Sequence, residues 1–307
     1  MLPPFSSLMF DDIKITCNET PMGLTLPNDR EPFEHAGLTF VPTYSRTGEI
    51  QHWTTDCKNL RFKVTQSSTT VQNSLHKYAH GVNFTDFSFT EVCKTVNELS
   101  DFLEWDSSQI EVKKLAFGVN ITSTVEEWRK FEEHKGTPFY PMRHKNRVYG
   151  AKCYHADYAI KGYNKTTETQ IHYSSKLDDV IQRYEIEIGR MRSITNRKKA
   201  IPIYTLADMK EPCLAAELSL YYLDILKSIT WKMGIDISEK LEISPMELAI
   251  VKAMPNEDFR SYIKTYHPET YKKYRKMVKK AAGVLNGSQK DEFMHQVGGK
   301  LNELLNS

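Results

Sequence analysis

The sequence predicts an α+β fold with a central antiparallel sheet and flanking helices. Short runs of strand character follow one another early in the chain, and an amphipathic pattern with the helical period comes after them. No glycine-rich nucleotide-binding motif stands at the end of a predicted strand, which favours this class over a doubly wound nucleotide fold. Near residue 195 the patterns become helical. We therefore expect an α+β domain over residues 1–194 and a helical C-terminal domain over residues 195–307.

The strand predictions begin near the N-terminus. FDDIKITC alternates in polarity and predicts a strand over Met9–Cys17, with Phe10, Ile13 and Ile15 toward the core. Four later runs are bounded by polar or glycine-containing turns and predict an antiparallel meander. These runs are residues 38–42, 49–54, 60–65 and 69–73.

Helices and strands alternate through the next part of the predicted α+β domain. Apolar residues at three- and four-residue steps predict a helix over residues 90–105, with Thr90 as its N-cap. Strands are expected over residues 110–121, within the tyrosine-rich segment 149–165, and over 181–188, and helices over 125–134 and 166–179. Residues 137–148 are expected to form a basic loop. In the C-terminal domain we expect helices over residues 205–210, 212–233, 244–254, 256–266 and 288–306, and a strongly basic segment over 268–285.

The overall composition is that of a globular protein, and it limits the class of partner. The 41 lysines and arginines nearly balance the 39 acidic residues, so the net charge is only +2 and any nucleic-acid surface must be local. We find neither an apolar run that could cross a membrane nor the pattern of a signal peptide. Five widely spaced cysteines without a Cys-x-x-Cys pair suggest neither disulfides nor zinc. We expect a cytoplasmic protein.

The segment RYEIEI carries the first candidate site. Because side chains alternate along a strand, Arg183, Glu185 and Glu187 share one face, and Tyr184, Ile186 and Ile188 face the core. Two carboxylates in this relation can hold one divalent cation, Mg²⁺ or Mn²⁺, and the neighbouring arginine can bind a phosphate bidentately. The alternative is a solvated polar face.

Two pairs of tyrosine and lysine precede this strand. Tyr173 and Lys176 are three residues apart, which places them on one face of a helix, whereas Tyr163 and Lys165 are two apart, which places them on one face of a strand. A phenol attacks a phosphodiester well only when its negative charge is stabilised, by a lysine or a metal ion. Most tyrosines near a lysine are ordinary structural residues.

Two basic segments are candidates for contacts with DNA phosphates. One is the segment TYKKYRKMVKK, and the other is the loop that follows residue 137. The candidate cations are Arg143, Lys145, Arg147, Lys272, Lys273, Arg275, Lys276, Lys279 and Lys280. Trp128, Tyr140 and Tyr149 are weaker candidates for stacking on unpaired bases. The alternative is a solvated helix face.

These segments occur in a recognisable order along the chain. LHKYAHGVNFTDFSF, a helix, IEVKKLAFGVNI, YNK and QRYEIEI resemble the replication initiators of the filamentous-phage gene II type, and especially their phage and plasmid relatives from Bacteroidetes. The resemblance implies rolling-circle replication, in which a tyrosine nicks one strand of an origin with the help of a divalent metal. It leaves a 5′-phosphotyrosyl link and a free 3′-OH for the polymerase.

The resemblance also implies roles for individual residues. Tyr173 corresponds to the nucleophile, with Tyr163 as the alternative, and Lys176 would support the phenolate. Arg183 and Lys165 would clamp phosphate, and Glu185 with Glu187 would hold the metal ion. The implied partners are origin DNA, single-stranded or extruded as a cruciform, and a host helicase or polymerase.

One position departs from the family pattern. Ala116 stands where the family has an acidic residue, so the metal site would depend on Glu185 with Glu187, a histidine or Asn120. Two alternatives therefore stay open. The chain could be a DNA-binding protein without catalysis on the same scaffold, or a metal-dependent nuclease that hydrolyses DNA without a covalent step.

Overall fold

The structure, a computed structural model, describes residues 9–27, 30–173, 177–232, 244–254 and 256–306. The strands are β1 Met9–Cys17, β2 Phe33–His35, β3 Leu38–Tyr44, β4 Ile50–Cys57, β5 Leu60–Val64, β6 Thr69–Ser74, β7 Glu111–Thr122, β8 Phe131–His134, β9 Thr137–Pro138, β10 Tyr140–His144, β11 Arg147–Tyr154, β12 Tyr158–Asn164, β13 Ile181–Ile188 and β14 Ile229–Trp231. The helices are α1 Leu75–His80, α2 Phe89–Leu103, α3 Lys165–Tyr173, α4 Arg192–Thr195, α5 Pro212–Ser228, α6 Pro245–Ala253, α7 Glu257–Tyr266 and α8 Pro268–Asn306. No helix among these residues is long and apolar enough to span a bilayer.

A large antiparallel sheet forms the centre of the molecule, which confirms the α+β class. Its 11 strands lie in the order β10-β11-β12-β13-β7-β1-β6-β5-β4-β3-β2. The predicted meander is present as β3 to β6, joined by antiparallel pairing. The N-terminal strand β1 lies in the interior of the sheet, between β6 and β7.

One face of this sheet is covered by helices and forms the main hydrophobic core. Ile13 and Ile15 of β1 are fully buried there, as the alternation in FDDIKITC predicts. Helix α2 packs its apolar stripe, Val92, Val96, Leu99 and Leu103, into the same core. The predicted N-cap at Thr90 is wrong. Ser88 caps α2 instead, because Ser88 and Glu91 form a capping box two residues earlier in the chain.

Residues 125–148 differ from the sequence-based expectation. The predicted helix over 125–134 is a short 3-10 helix, Glu127–Lys130, followed by strand β8. Strand β8 pairs with β14 and β9 in a second, 3-stranded sheet. The predicted basic loop contains β9 and β10, and β10 forms a hairpin with β11. Pairing with distant strands, which the local pattern does not contain, decides the structure of this region.

The C-terminal helices agree only partly with the predicted ones. Residues 205–210 contain only the 3-10 turn Asp208–Lys210, and the helix predicted to reach residue 233 ends at Ser228, before β14. The basic segment and the final helix form the single helix α8.

Helices α5 and α8 pack against the large sheet. The Tyr222 hydroxyl of α5 donates a hydrogen bond to the Tyr184 carbonyl oxygen of β13 at 2.8 Å. The Phe293 ring of α8 lies 4.7 Å from the Tyr184 ring, centroid to centroid. Helices from beyond residue 195 thus share the core of the sheet, and the predicted division into two domains stays a prediction.

Candidate active site

Strand β13 presents its two faces as the sequence predicts. Tyr184, Ile186 and Ile188 are buried in the core, and Arg183 and Glu185 project from the other face of the sheet. This second face is not solvated at Arg183 and Glu185, which are only 1% and 5% exposed. Arg183 and Glu185 therefore lie inside the protein, and their partners determine what they can do.

Arg183 is held by three groups from distant parts of the chain. Its Nη1 donates to Asp11 Oδ2 at 2.6 Å and its Nε donates to Asn120 Oδ1 at 2.8 Å. Its Nη2 donates to the Asn83 carbonyl oxygen. Burial by itself raises the pKa of Asp11, but the Arg183 charge and the hydrogen bond from Ser74 outweigh burial, and the pKa is lowered.

This position corrects the role expected for Arg183. A guanidinium that is 1% exposed and bound to three protein groups cannot also clamp a DNA phosphate. Arg183 instead fixes β1, β7 and the loop after α1 to β13. It is a structural anchor of the site.

Glu185 and Glu187 are surrounded by lysines. Lys161 Nζ lies 2.8 Å from Glu185 Oε1 and 3.0 Å from Glu187 Oε2. Lys114 and Lys152 contact Glu187 as well, at 2.7 and 3.2 Å. The pKa of Glu187 is far below its usual range, because the Lys161 and Lys114 charges and hydrogen bonds outweigh burial.

These contacts do not fit a divalent cation at Glu185 and Glu187. Each carboxylate already carries at least one ammonium partner, and three lysines face two carboxylates. Ala116 pairs with Glu187 across the sheet and adds no ligand. Within the described ranges, no group of three or more histidine, cysteine, aspartate and glutamate side chains could hold a metal ion. Dependence on Mg²⁺ or Mn²⁺ stays a prediction.

Tyr163 is buried beside Glu185. Its side chain is 6% exposed, and its hydroxyl donates to Glu185 Oε2 at 3.2 Å. Burial first, and then the Glu185 charge, raise the pKa of Tyr163 well above its usual value. A buried phenol that keeps its proton is a poor nucleophile.

Lys165 differs from the expectation that it shares a strand face with Tyr163. Strand β12 ends at Asn164, whose side chain accepts a hydrogen bond from the Thr167 backbone N–H at 2.7 Å, and Lys165 begins α3. Lys165 is 1% exposed and donates to Glu168 Oε2 at 2.7 Å. Burial, and then the Arg183 charge, lower the pKa of Lys165 to about 8. It is not accessible to a phosphate.

Of the two candidate nucleophiles, Tyr173 is the exposed one. It is the last residue of α3, and its side chain is 56% exposed. Its hydroxyl accepts a hydrogen bond from Lys77 Nζ, which also lies 4.2 Å from the centre of the tyrosine ring. The predicted partner Lys176 lies outside the described residues. An ammonium group therefore does lie beside the phenol oxygen, but Lys77 of α1 supplies it.

Sequence reasoning missed Lys77 as a site residue. Tyr173 and Lys77 are 96 residues apart in the chain, so no local spacing connects them. Lys77 does lie inside LHKYAH, the first segment of the resemblance, and that was the available signal. Ser74 caps α1 by accepting from the Lys77 backbone N–H at 3.0 Å, which fixes the start of the helix.

A groove opens beside Tyr173, and we call it the tyrosine groove. Its volume is about 480 Å³. Most of the side chains that line it are basic, amide or aromatic, namely Lys58, Asn59, Lys77, Asn83, Phe84 and Tyr173, and Val82 and Thr169 complete the lining. The groove is open at the surface and presents two ammonium groups near one accessible phenol.

The segments that carry the resemblance meet around this groove and Arg183. Asn120 of the FGVN segment donates to the carbonyl oxygens of Phe84 and Thr85, in the loop after α1, at 3.1 and 3.2 Å. The same Asn120 accepts from Arg183 of the last segment. Three segments that are far apart in sequence are therefore joined at one site.

The predicted DNA-binding cations lie on two separate elements. Arg143, Lys145 and Arg147 are exposed in the β10–β11 hairpin, and Arg147 Nη2 donates to Thr167 Oγ1 of α3 at 2.9 Å. Lys272, Lys273, Arg275 and Lys276 are exposed on α8, and the side chains of Lys279 and Lys280 lie outside the description.

The three aromatic candidates for base stacking differ in exposure. The prediction for Trp128 is wrong, because its side chain is 2% exposed and donates to Gln182 Oε1 at 3.0 Å, so no base can reach it. Tyr149 is half-buried, and burial raises its pKa. Tyr140 is 55% exposed and keeps the surface that stacking requires.

Comparisons with known proteins give a sparse result. No protein-family model matches this chain. No curated protein matches it either. Among solved structures, the chain is similar to the rolling circle replication initiator protein from Geobacillus stearothermophilus, with 13% identity, a TM-score of 0.38, and coverage of 76% of this chain and 89% of that chain.

Proposed function

We propose that this chain is a rolling-circle replication initiator that nicks one strand of origin DNA with Tyr173 as the nucleophile. The observation that carries the proposal is the contact of an exposed tyrosine with the Lys77 ammonium group in an open basic groove. The order of the family-like segments supports it, because Asn120 and Arg183, from two of those segments, bind the backbone of Phe84 and Asn83, which line this groove.

The chemistry assigned to Tyr173 is a transesterification. The phenol oxygen attacks a backbone phosphorus while the phenolic proton passes to water, and the bond from phosphorus to the 3′-oxygen breaks. The leaving 3′-oxygen takes a proton from water and becomes a free 3′-OH, and the 5′-phosphate stays on the tyrosine. Lys77 stabilises the negative charge that develops on the attacking oxygen, and Lys58 attracts the phosphate backbone.

A second candidate function is DNA binding without cleavage. The lysines that surround Glu185 and Glu187 favour it, because they occupy the carboxylates that would hold a metal ion. Ala116 favours it for the same reason. A hydrolytic nuclease would need the same metal site but no tyrosine.

One experiment separates these functions. The protein is incubated with a pool of random single-stranded oligonucleotides labelled at the 3′ end, in Mn²⁺, in Mg²⁺ or in a chelator, and a denaturing gel shows whether label stays on the protein. The 3′ label is necessary because a 5′-phosphotyrosyl link retains the 3′ portion of the strand. We expect an adduct with wild-type protein and none with Tyr173→Phe. Tyr204→Phe is the matched control, since Tyr204 is 55% exposed and Tyr173 is 56% exposed.

Further variants and outcomes of this experiment test the role of Lys77, the choice among the three functions and the identity of the nucleophile. Two unit charges about 4 Å apart interact by about 1 kcal/mol in water and about 4 kcal/mol near a protein surface, so Lys77→Ala should slow adduct formation by about 5-fold to 1000-fold. Cleavage without an adduct would indicate a hydrolytic nuclease, and binding without cleavage would indicate the non-catalytic protein. An adduct that survives Tyr173→Phe but not Tyr163→Phe would overturn the assignment of the nucleophile.

A further inference from the structure

The meander has a second face, opposite the hydrophobic core, that forms a concave surface. Its volume is about 710 Å³, and we call it the sheet groove. Its lining consists of threonine, serine and glutamine side chains together with Lys14, His52, Arg61 and Lys63. All of these residues are exposed or half-exposed, whereas Ile15, Phe62 and Val71 on the same strands point into the core.

Strand register arranges the cations of this groove in rows. Gln72 of β6 lies between Lys14 of β1 and Arg61 of β5. Neighbouring strands are about 4.8 Å apart, so Lys14 and Arg61 are about 10 Å apart across the sheet. In the adjacent row, Lys63 of β5 lies between Thr70 and Thr54. On the groove floor, each of these cations thus lies beside an amide or a hydroxyl group.

The charge of the sheet groove is positive. Lys14 and Lys63 form no salt bridge with any residue in the described part of the chain, and Arg61 pairs with Asp56 at 3.0 Å. Burial, and then the Lys63 charge, lower the pKa of His52. Two free ammonium groups among hydroxyl and amide groups complement a polyanion that also accepts hydrogen bonds, as a phosphodiester backbone does.

The sheet groove and the tyrosine groove are lined by neighbouring residues at the start of β5. Lys58 and Asn59 lie in the turn before β5 and line the tyrosine groove. Arg61 lies two residues beyond Asn59 and lines the sheet groove. Two residues of a strand span about 7 Å, so the linings of the two grooves come within about that distance of each other along the chain.

We propose that the sheet groove binds the single-stranded DNA that flanks the phosphate attacked by Tyr173, with Lys14 and Lys63 contacting its phosphates. The proposal rests on the proposed function, because it places the reacting phosphate in the tyrosine groove. The contacts are to the backbone, so the groove adds affinity that depends on salt and on strand length without reading bases.

The test compares the salt dependence of binding. Fluorescence anisotropy gives the affinity of random single-stranded oligonucleotides for Lys14→Ala/Lys63→Ala between about 50 and 200 mM salt, with every protein carrying Tyr173→Phe so that no adduct forms. Losing two phosphate contacts should reduce the magnitude of the slope of log K against log salt by about 1.4. The affinity of the protein that keeps both lysines should therefore fall about 7-fold more over this salt range than that of Lys14→Ala/Lys63→Ala. The affinity that Lys14→Ala/Lys63→Ala loses relative to the protein with both lysines should grow with oligonucleotide length.

Two further variants control the test. Lys14→Arg/Lys63→Arg keeps both charges and should retain the wild-type slope. Lys198→Ala/Lys199→Ala removes two exposed lysines outside the groove and should also retain it. Thermal melting checks that all variants are folded.

The outcomes separate this proposal from the proposed function. Equal slopes for Lys14→Ala/Lys63→Ala and wild type would overturn the groove assignment, as would an equal loss in the Lys198→Ala/Lys199→Ala control. If the wild-type protein forms no adduct but the slopes differ, the groove assignment stands and the proposed nicking function is wrong. If the adduct forms but the slopes are equal, the nicking function stands and the groove assignment is wrong.

Discussion

Replacing Arg183 with methionine tests whether this residue anchors the structure or binds phosphate. Methionine has a similar length but no charge, so the variant leaves the Asp11 carboxylate buried without its cation and the Asn120 side-chain oxygen without its donor. Removing one partner of a buried ion pair costs about 3–5 kcal/mol. Arg183→Met should therefore lower the free energy of unfolding by about that amount.

The effect should depend on Asp11. In Asp11→Asn/Arg183→Met neither charge of the buried pair remains, so the double variant should recover about 1–3 kcal/mol relative to Arg183→Met alone. Denaturation by guanidinium chloride, followed by tryptophan fluorescence, measures all three proteins. Arg192→Met is the matched control, because Arg192 pairs with Asp157 at 2.8 Å but is 56% exposed on its side chain. Its midpoint should stay close to that of wild type.

One result would refute this reasoning. If Arg183→Met unfolds at the same denaturant concentration as wild type but loses affinity for DNA, Arg183 is free to contact phosphate, and the anchoring role is wrong. A loss of stability that Asp11→Asn does not relieve would also show that the ion pair is not the source of the effect.

Three other predictions concern stability. Burial first lowers the pKa of His76 to about 3 and of His134 to about 4, while the unfolded value is about 6.5. As the pH falls, these histidines therefore take up protons in the unfolded state before they do so in the folded state. The free energy of unfolding should fall as pH drops from about 6.5 toward about 4. Denaturation at each pH measures this, and a flat profile would contradict it. Gly162→Ala should cost about 1–3 kcal/mol, because the new Cβ would meet three packed side chains, the nearest at 2.6 Å, and an unchanged melting temperature would argue against this packing. Ser88→Ala should cost about 1 kcal/mol in thermal melting, whereas Thr90→Ala should cost much less; the reverse order would restore Thr90 as the cap.

The sequence predicted the strands well where alternation was strong. Strand β13 matches its predicted bounds, and so does β1, because each has an apolar face that must reach the core. The helix prediction over residues 125–134 failed for a physical reason. Trp128 and Phe131 are three residues apart, which is typical of a helix, but β8 is determined by pairing with β14, about a hundred residues later in the chain.

The site was less predictable than the fold. The face shared by Glu185 and Glu187 followed from local alternation, but the lysine that binds both of them did not. Lys161 faces Glu185 only because β12 and β13 pair in one particular register. The partnership of Tyr173 and Lys77 likewise depends on how α1 and α3 are placed over the sheet. Alternation indicates which side chains share a face, and tertiary structure decides which groups they meet.

The interior position of β1 has a consequence for the synthesis of this protein. Met9 pairs with Gly118, so β1 emerges from the ribosome long before its partner β7 exists, and the new meander ends in an open strand edge. Open edges invite pairing with other chains, and charged residues on the edge strand discourage it. Asp11, Asp12 and Lys14 lie on β1, where two of them later form ion pairs with Arg183 and Lys114. We therefore expect the same charges to discourage aggregation of the nascent chain before they form ion pairs in the folded protein.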